Sequence, residues 1–272
     1  LSRRGSVPPI AATIATTDSG GGAGIPADLK AFSACGVYGV SVAVALTAQN
    51  TLGVRAVHPL PLSFVHEQFE VLDQDLRPLA VKTGMLFSVR HIHKVCSELR
   101  QRAWGPLVVD PVMVAKSGDR LLEEGALETM RRELLPLALV VTPNWPEAAA
   151  LSGLPVESES DAVRAGRSIA ELGPRFVVVK GGHSPNEPVD LVVHGPAVTR
   201  LVASRVQSRH THGTGCTFSA AITAHLARGI ETIEAVRLAK EYVTAAIINA
   251  PGLGAGHGPL EHFPEGWPRR PL

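Results

Sequence analysis

At 272 residues, 45% of them hydrophobic, the chain is long enough to bury a sizeable core. Its 26 Lys and Arg against 25 Asp and Glu leave a net charge of +1, and the basic doublets near its ends, Arg3-Arg4 and Arg269-Arg270, make no nucleic-acid footprint. The 3 cysteines, Cys35, Cys96 and Cys216, are odd in number and lack CxxC spacing, which argues against a disulfide framework and a structural zinc site and fits a reducing cytoplasm.

In chain order, strand-length apolar runs occur as IAATIATT near residue 10, VSVAVAL near 40, LAVKTG near 79, PLVVDPV near 106, LALVVTPN near 137 and RFVVVKGG near 175. Between them SFVHEQFEVLDQDL, VRHIHKVCSELRQR, EEGALETMRRELL and ESDAVRAGRSIAEL carry apolar residues at helical spacing. This alternation predicts an α/β fold with a mostly parallel central sheet flanked by helices on both faces. DLVVHG and TRLVASRV near residues 190 and 199 read as strands toward one edge, followed by two late helices, HGTGCTFSAAITAHLA and TIEAVRLAKEYVTAAIINA. Pro and Gly are spread along the chain without a linker or repeat, so one domain is expected over residues 1–272, with a core at about 10–263 and the termini as tails. The longest apolar stretch, VYGVSVAVALTA from Val37, is too short to span a bilayer, and no secretory signal pattern opens the chain. A cytoplasmic protein is expected.

Ligands of an open α/β sheet sit beyond the carboxyl ends of its strands. The unusual residues collect there: TTDSGGGAG, AQN, TGM, DPVMVAKSG, TPNWPE and KGGH each follow a strand. Gly22-x-Gly24-x-x-Ala27 has the spacing of a dinucleotide fingerprint, but no Asp or Glu stands between Asp28 and Glu67 to hold a ribose. A Walker-type loop fails as well, because the chain contains no Gly-Lys dipeptide. HGTGC, by contrast, puts glycines ahead of a helix whose first amides lack intrahelical partners, which makes an anion hole.

Two further features fit phosphoryl transfer. Asn144 and Glu147 stand one helical turn apart, where they either hold hydrated Mg²⁺ or simply cap a helix. Lys180 ends an apolar strand at the ligand side of the sheet. Gln49, in AQNTLG, reads by itself as a turn residue whose amide bonds to backbone. The pairs His91/His93 and His210/His212 lack a carboxylate or thiol at metal spacing and read as surface or loop residues.

Together DSGGGAGIPADLK, AQNTLGV, KTGML, DPVMVAKSG, TPNWPEAAAL, KGGH and HGTGCTFSAA resemble the hydroxymethylpyrimidine/phosphomethylpyrimidine kinase family of thiamine biosynthesis, within the ribokinase-like superfamily. The resemblance runs from about Ile10 to the closing GHGPLEHF. It implies a ribokinase-like domain that uses ATP and Mg²⁺ to phosphorylate 4-amino-5-hydroxymethyl-2-methylpyrimidine and then its monophosphate. It places Asp28, Gln49, Met85 and Val112 around the pyrimidine, and Gly213, Thr214, Gly215 and Cys216 at the anion hole and catalytic position. Lys180, Thr211 and Lys240 would lie along the nucleotide, with Asp110, Asn144 and Glu147 near the metal. The expected assembly is a homodimer, with no nucleic-acid or membrane partner.

The chain departs from the family pattern at two places: Ala15-Thr16-Thr17-Asp18 stands where AGSD is common, and Pro26 where Gln is common. Thr16 adds bulk against the substrate ring, whereas proline suits the first turn of a helix. Pyridoxal kinase activity on the same fold and a catalytically silent ligand-binding protein are the alternatives; relative turnover and an ATP-consumption assay separate them. At the start of its helix Cys216 is expected to have a thiol pKa lowered toward neutrality, fit to accept the alcohol proton.

Overall fold

A computed structural model describes residues 7–113, 123, 125–183 and 188–264. Residues 114–118 of the DPVMVAKSG motif, Glu124 and both terminal basic doublets lie outside the described residues. The strands are β1 (Ile10–Thr16), β2 (Tyr38–Asn50), β3 (Gly53–Pro59), β4 (Ala80–Thr83), β5 (Leu107–Val109), β6 (Ala138–Val141), β7 (Phe176–Val179), β8 (Val189–His194) and β9 (Ala197–Val202). They form one sheet in the order β3-β2-β1-β4-β5-β6-β7-β8-β9. The six from β2 to β7 in that order are mutually parallel, while β3, β8 and β9 run antiparallel at the edges. This is the mostly parallel, ribokinase-like arrangement expected.

The helices are α1 (Gly24–Ala34), α2 (Leu62–Asp75), α3 (Val89–Gln101), α4 (Ala126–Thr129), α5 (Trp145–Ser152), α6 (Glu159–Ala170), α7 (Thr214–Ala227) and α8 (Thr232–Ile248). They cover both faces because the strands alternate between two apolar layers. Val177 and Val179 join Val65, Phe69, Ile92 and Ile169 of α2, α3 and α6 on one face. Val178 between them joins Phe32, Phe218 and Tyr242 of α1, α7 and α8 on the other. A period of two buried on both sides is the mark of a central parallel strand.

Two elements differ from the sequence reading. Strand β3 was not expected; it is an edge whose residues face solvent on both sides, so it carries no apolar alternation to detect. The helix read from EEGALETMRRELL is a single α-turn, α4, that widens into a π-turn at Met130–Leu134 and tightens into a 3₁₀ turn at Leu135–Leu137. Pro136 has no N–H to continue the ladder.

A buried ion pair ties the two faces of β1 and β4 to α1. Lys82 of β4 and Asp28 of α1 are both fully buried, with Lys82 Nζ 2.6 Å from Asp28 Oδ1 and Thr13 Oγ1 2.6 Å from Oδ2. Burial pushes Asp28 up to about 6 against the opposing pull of Lys82. Removing one partner of such a pair leaves an uncompensated charge in the core. Lys82→Met is therefore expected to cost about 3–5 kcal/mol in urea unfolding at pH 7. Without its cation the folded-state Asp28 rises further above its unfolded value, so the native state binds the extra proton and the deficit shrinks as pH is lowered toward 4. A loss that does not depend on pH would mean that the carboxylate is not the cause.

Candidate active site

Strand order reverses between β1 and β4: the chain leaves β1 toward β2 on one side and returns to β4 on the other. Such a switch point opens a crevice at the carboxyl ends of the strands. Here it holds a cleft of about 1050 Å³. Thr16, Gln49, Met85, Asp110, Val112, Asn144, Glu147, Lys180, Thr211, Gly213, Thr214, Gly215, Cys216 and Lys240 all line it.

Asp28 is the exception. The resemblance set it beside the pyrimidine, but its carboxylate points into the core at Lys82 and Thr13, beneath the cleft rather than on its wall. The reason is electrostatic: a fully buried carboxylate needs a cation, and Lys82 provides one.

The anion hole forms where the chain turns from Thr211 into α7. Gly213 sits at φ +78° and caps the helix with no side chain. A β-carbon there would overlap the carbonyl of Gly22, so the position needs glycine for both its angle and its close approach. Thr214 turns both its hydroxyl, at 2.7 Å, and its amide, at 3.3 Å, back to Thr211 O, which leaves the next amides of α7, those of Gly215 and Cys216 on the cleft wall, without intrahelical acceptors. Across from them Lys180 Nζ lies 3.2 Å from Asp110 Oδ1 and 3.7 Å from Glu147 Oε2. Burial acts to lower the Lys180 pKa, but the two carboxylates outweigh it and raise it, so this cation stays charged. Burial raises Glu147 to about 6, with Lys180 pulling down and Asp110 pushing up.

Asn144 and Glu147 form a reciprocal capping box on α5: Asn144 Oδ1 accepts the Glu147 amide at 2.9 Å, and Glu147 Oε2 accepts the Asn144 amide at 2.7 Å. The capping geometry and the pairing with Lys180 use the same carboxylate, so the cap orients Glu147 into the cleft. Asp110 Oδ2 is buried without a hydrogen-bond partner among the described residues. Lys240 of α8 reaches Asp190 Oδ2 at 2.9 Å and Pro188 O at 3.1 Å. On the substrate side, Thr16 donates its hydroxyl to Met85 O at 3.1 Å, and a register shift between Ala48 and Gln49 re-aims Gln49 at the end of β2.

Cys216 departs from expectation in its protonation. Burial, with smaller contributions from Asp110 and Asp28, pushes its thiol up to about 12, and the pull of Lys82 and the Gly24 amide does not offset this. The helix terminus alone does not deliver a thiolate here. The histidine reading also needs correction. His91 is buried, bonded to Ser88 and to Leu60 O. His212 lines the cleft, its Nε2 2.8 Å from Asp18 Oδ2.

The residues missed in the sequence are Asp18, Thr47, Lys82, Asp190 and His212. Only Asp18 left a local signal. An Asp directly before Ser-Gly-Gly-Gly is placed to accept the amides that follow, and it takes those of Gly20, Gly22 and Ala23.

Comparison with known proteins identifies the family. The model of the family described as phosphomethylpyrimidine kinase matches residues 18–261. The chain is 47% identical over 260 residues to a hydroxymethylpyrimidine/phosphomethylpyrimidine kinase of Streptomyces coelicolor, covering 96% of this chain and 95% of that one. The crystal structure of a phosphomethylpyrimidine kinase from Clostridium difficile superposes with a TM-score of 0.79 at 45% identity, covering 88% of this chain and 99% of that one. A Staphylococcus aureus pyridoxal kinase in complex with ADP superposes with a TM-score of 0.89 at 37% identity, covering 96% and 95%.

Proposed function

The chain belongs to the phosphomethylpyrimidine kinase family, and from that premise we propose that it transfers the γ-phosphoryl group of ATP to 4-amino-5-hydroxymethyl-2-methylpyrimidine and then to the resulting monophosphate. The observation that carries this reading is the continuity of one cleft wall. Gln49, suited to an aminopyrimidine edge, touches His212, which leads directly into the Gly213–Cys216 turn suited to phosphate.

The expected residues that line the cleft then have tasks that their positions support, Asp28 being the one that does not line it. Gln49 and Met85 hold the ring, and Thr16 narrows the same end of the cleft. The amides of Gly215 and Cys216 receive the transferring group, and Lys180 neutralises charge that builds on it. Thr211, Asn144 and Lys240 lie along the nucleotide. Asp110 and Glu147 would hold a magnesium ion, because the buried Asp110 Oδ2 lacks a partner among the described residues and a hard cation wants carboxylate oxygen. Held there, the ion would supply neutralisation of the negative charge on the phosphates of ATP. We take the working unit to be a homodimer, which sedimentation velocity tests. Among the described residues no helix is long and apolar enough to cross a membrane.

A coupled assay with the pyrimidine alcohol and with its monophosphate, measured separately, tests the proposal. Turnover of both is expected; turnover of neither, with pyridoxal used instead, would replace this reading by the pyridoxal kinase one. The higher identity to the pyrimidine kinases favours the first.

Gln49→Glu is expected to raise the pyrimidine KM about tenfold while leaving the ATP KM within twofold, the cost of one unmade hydrogen bond being about 1–3 kcal/mol. The carboxylate still accepts from the amino group but no longer donates to the ring nitrogen. Unchanged pyrimidine kinetics would remove Gln49 from the pocket.

A further inference from the structure

Asp18, His212, Gln49 and Thr47 form a chain of polar contacts on the cleft wall, of which only Gln49 has so far been given a task. Asp18 accepts the amides of Gly20 at 2.8 Å, Gly22 at 3.1 Å and Ala23 at 2.9 Å, and it faces His212 Nε2 at 2.8 Å. Burial acts against the carboxylate, but the His212 imidazole and then the Gly20 and Ala23 amides hold its pKa below the ordinary value, and three backbone amides aimed at one carboxyl favour its ionised form whatever faces it on the other side. An ionised carboxylate facing an imidazole nitrogen requires the proton on that nitrogen, so His212 Nε2 is a donor.

The other side of the chain fixes a second hydrogen. Thr47 gives its single hydroxyl proton to Thr17 O at 2.8 Å, leaving Oγ1 as an acceptor. Gln49 meets both groups, with Nε2 3.4 Å from His212 Nε2 and Oε1 3.2 Å from Thr47 Oγ1. In that sense the amide sets donor against donor and acceptor against acceptor. A half-turn of the carboxamide exchanges its oxygen and nitrogen without changing its outline: the Thr47 contact then becomes a hydrogen bond, and the oxygen meets the longer arm of the single Nε2–H that His212 shares with Asp18. One lone pair on the oxygen and one N–H remain side by side at the outer edge of the amide.

We propose that His212 is a positioning residue that sets the heterocycle edge accepted by the cleft: by holding the Gln49 oxygen, it selects a ring with an amino donor beside a ring-nitrogen acceptor. An unanchored carboxamide serves either polarity by turning over, whereas an anchored one rejects the 4-oxo edge, where carbonyl and N–H exchange the two roles. This rests on the reading of Gln49 as a pyrimidine-binding residue.

The test compares kcat/KM for 4-amino-5-hydroxymethyl-2-methylpyrimidine and for its 4-oxo counterpart. The parent enzyme prefers the amino compound, and His212→Leu lowers that preference by about tenfold, chiefly through KM, as expected for one directional hydrogen bond. His212→Gln restores it, because its amide N–H reaches the same two acceptors. Thr47→Val removes the other anchor and lowers the preference by a similar factor, which keeps the test open if His212→Leu does not fold. Nitrogen-15 spectra of the unliganded parent enzyme report the His212 tautomer, and Nε2–H is expected. A preference unchanged in both variants, a parent enzyme that uses the two compounds equally, or an Nδ1–H tautomer each overturns the proposal. A parent enzyme that phosphorylates neither compound defeats the functional reading instead, and the tautomer still decides the Asp18–His212 arrangement.

Discussion

Lys180→Ala is expected to lower kcat for both phosphorylations by about 10²–10³ while the fold stays intact. That is the size of effect seen when a single preorganised donor to a developing negative charge is removed. Lys180 stands at the end of β7, where Asp110 and Glu147 hold it charged and aimed at the anion hole. Its loss does more than delete a cation. Glu147, already at about 6, loses its largest stabilising charge and keeps the repulsion of Asp110, so its pKa moves further up. The acid limb of the residual pH–rate profile is therefore expected to shift to higher pH. Steady-state kinetics on each substrate, with far-ultraviolet circular dichroism as the check on folding, measure both effects. Normal turnover on both substrates would contradict the role.

Lys180 also shows why so much of this site was legible in the sequence. Open α/β sheets place ligands at strand ends, so a lysine after FVVV, glycines after IAATIATT and a glycine turn before a small-residue helix all report position through the chain itself. Within a strand–loop–helix unit the side chain that matters lies a few residues from the apolar run that places it. Asn144 and Glu147 were legible for the same reason, since a capping box is a local pattern.

What escaped detection depends on contacts between segments far apart in sequence. Asp18 and His212 meet across 194 positions, and Asp28 and Lys82 across 54. Neither pair shows a spacing rule, because each is made by strand order in the sheet. Asp28 illustrates the consequence: the resemblance places it at the pyrimidine, and only the pairing of β1 with β4 brings Lys82 against it in the core. Strand β3 escaped for a different reason, having no buried face and hence no apolar period.

The second large effect concerns Cys216, where the structure changes the chemistry that the sequence offered. A helix N-terminus favours a thiolate, but burial together with Asp110 and Asp28 pushes this thiol up to about 12, so in the ligand-free enzyme it is protonated throughout the neutral range. Alkylation of Cys216 in the free enzyme is accordingly expected to accelerate steadily with pH, with no plateau near neutrality. A role in proton removal would then depend on the loaded cleft: a cation held by Asp110 would offset one of the charges that raise the thiol, while Lys82 and the Gly24 amide favour the anion. The transferring phosphoryl group works in the opposite direction, which keeps the gain at the low end of what a positioned base supplies. Cys216→Ala is expected to depress kcat/KM for the alcohol by about 10². The monophosphate is already largely anionic at neutral pH and attacks without losing a proton, so its loss should be at least tenfold smaller. Equal losses in both steps would make Cys216 a residue that shapes the amide pocket, its sulfur held by the Gly24 N–H. No loss in either step would leave it a small side chain packed at a helix start, and the alcohol would then have to give its proton to the phosphoryl oxygens themselves.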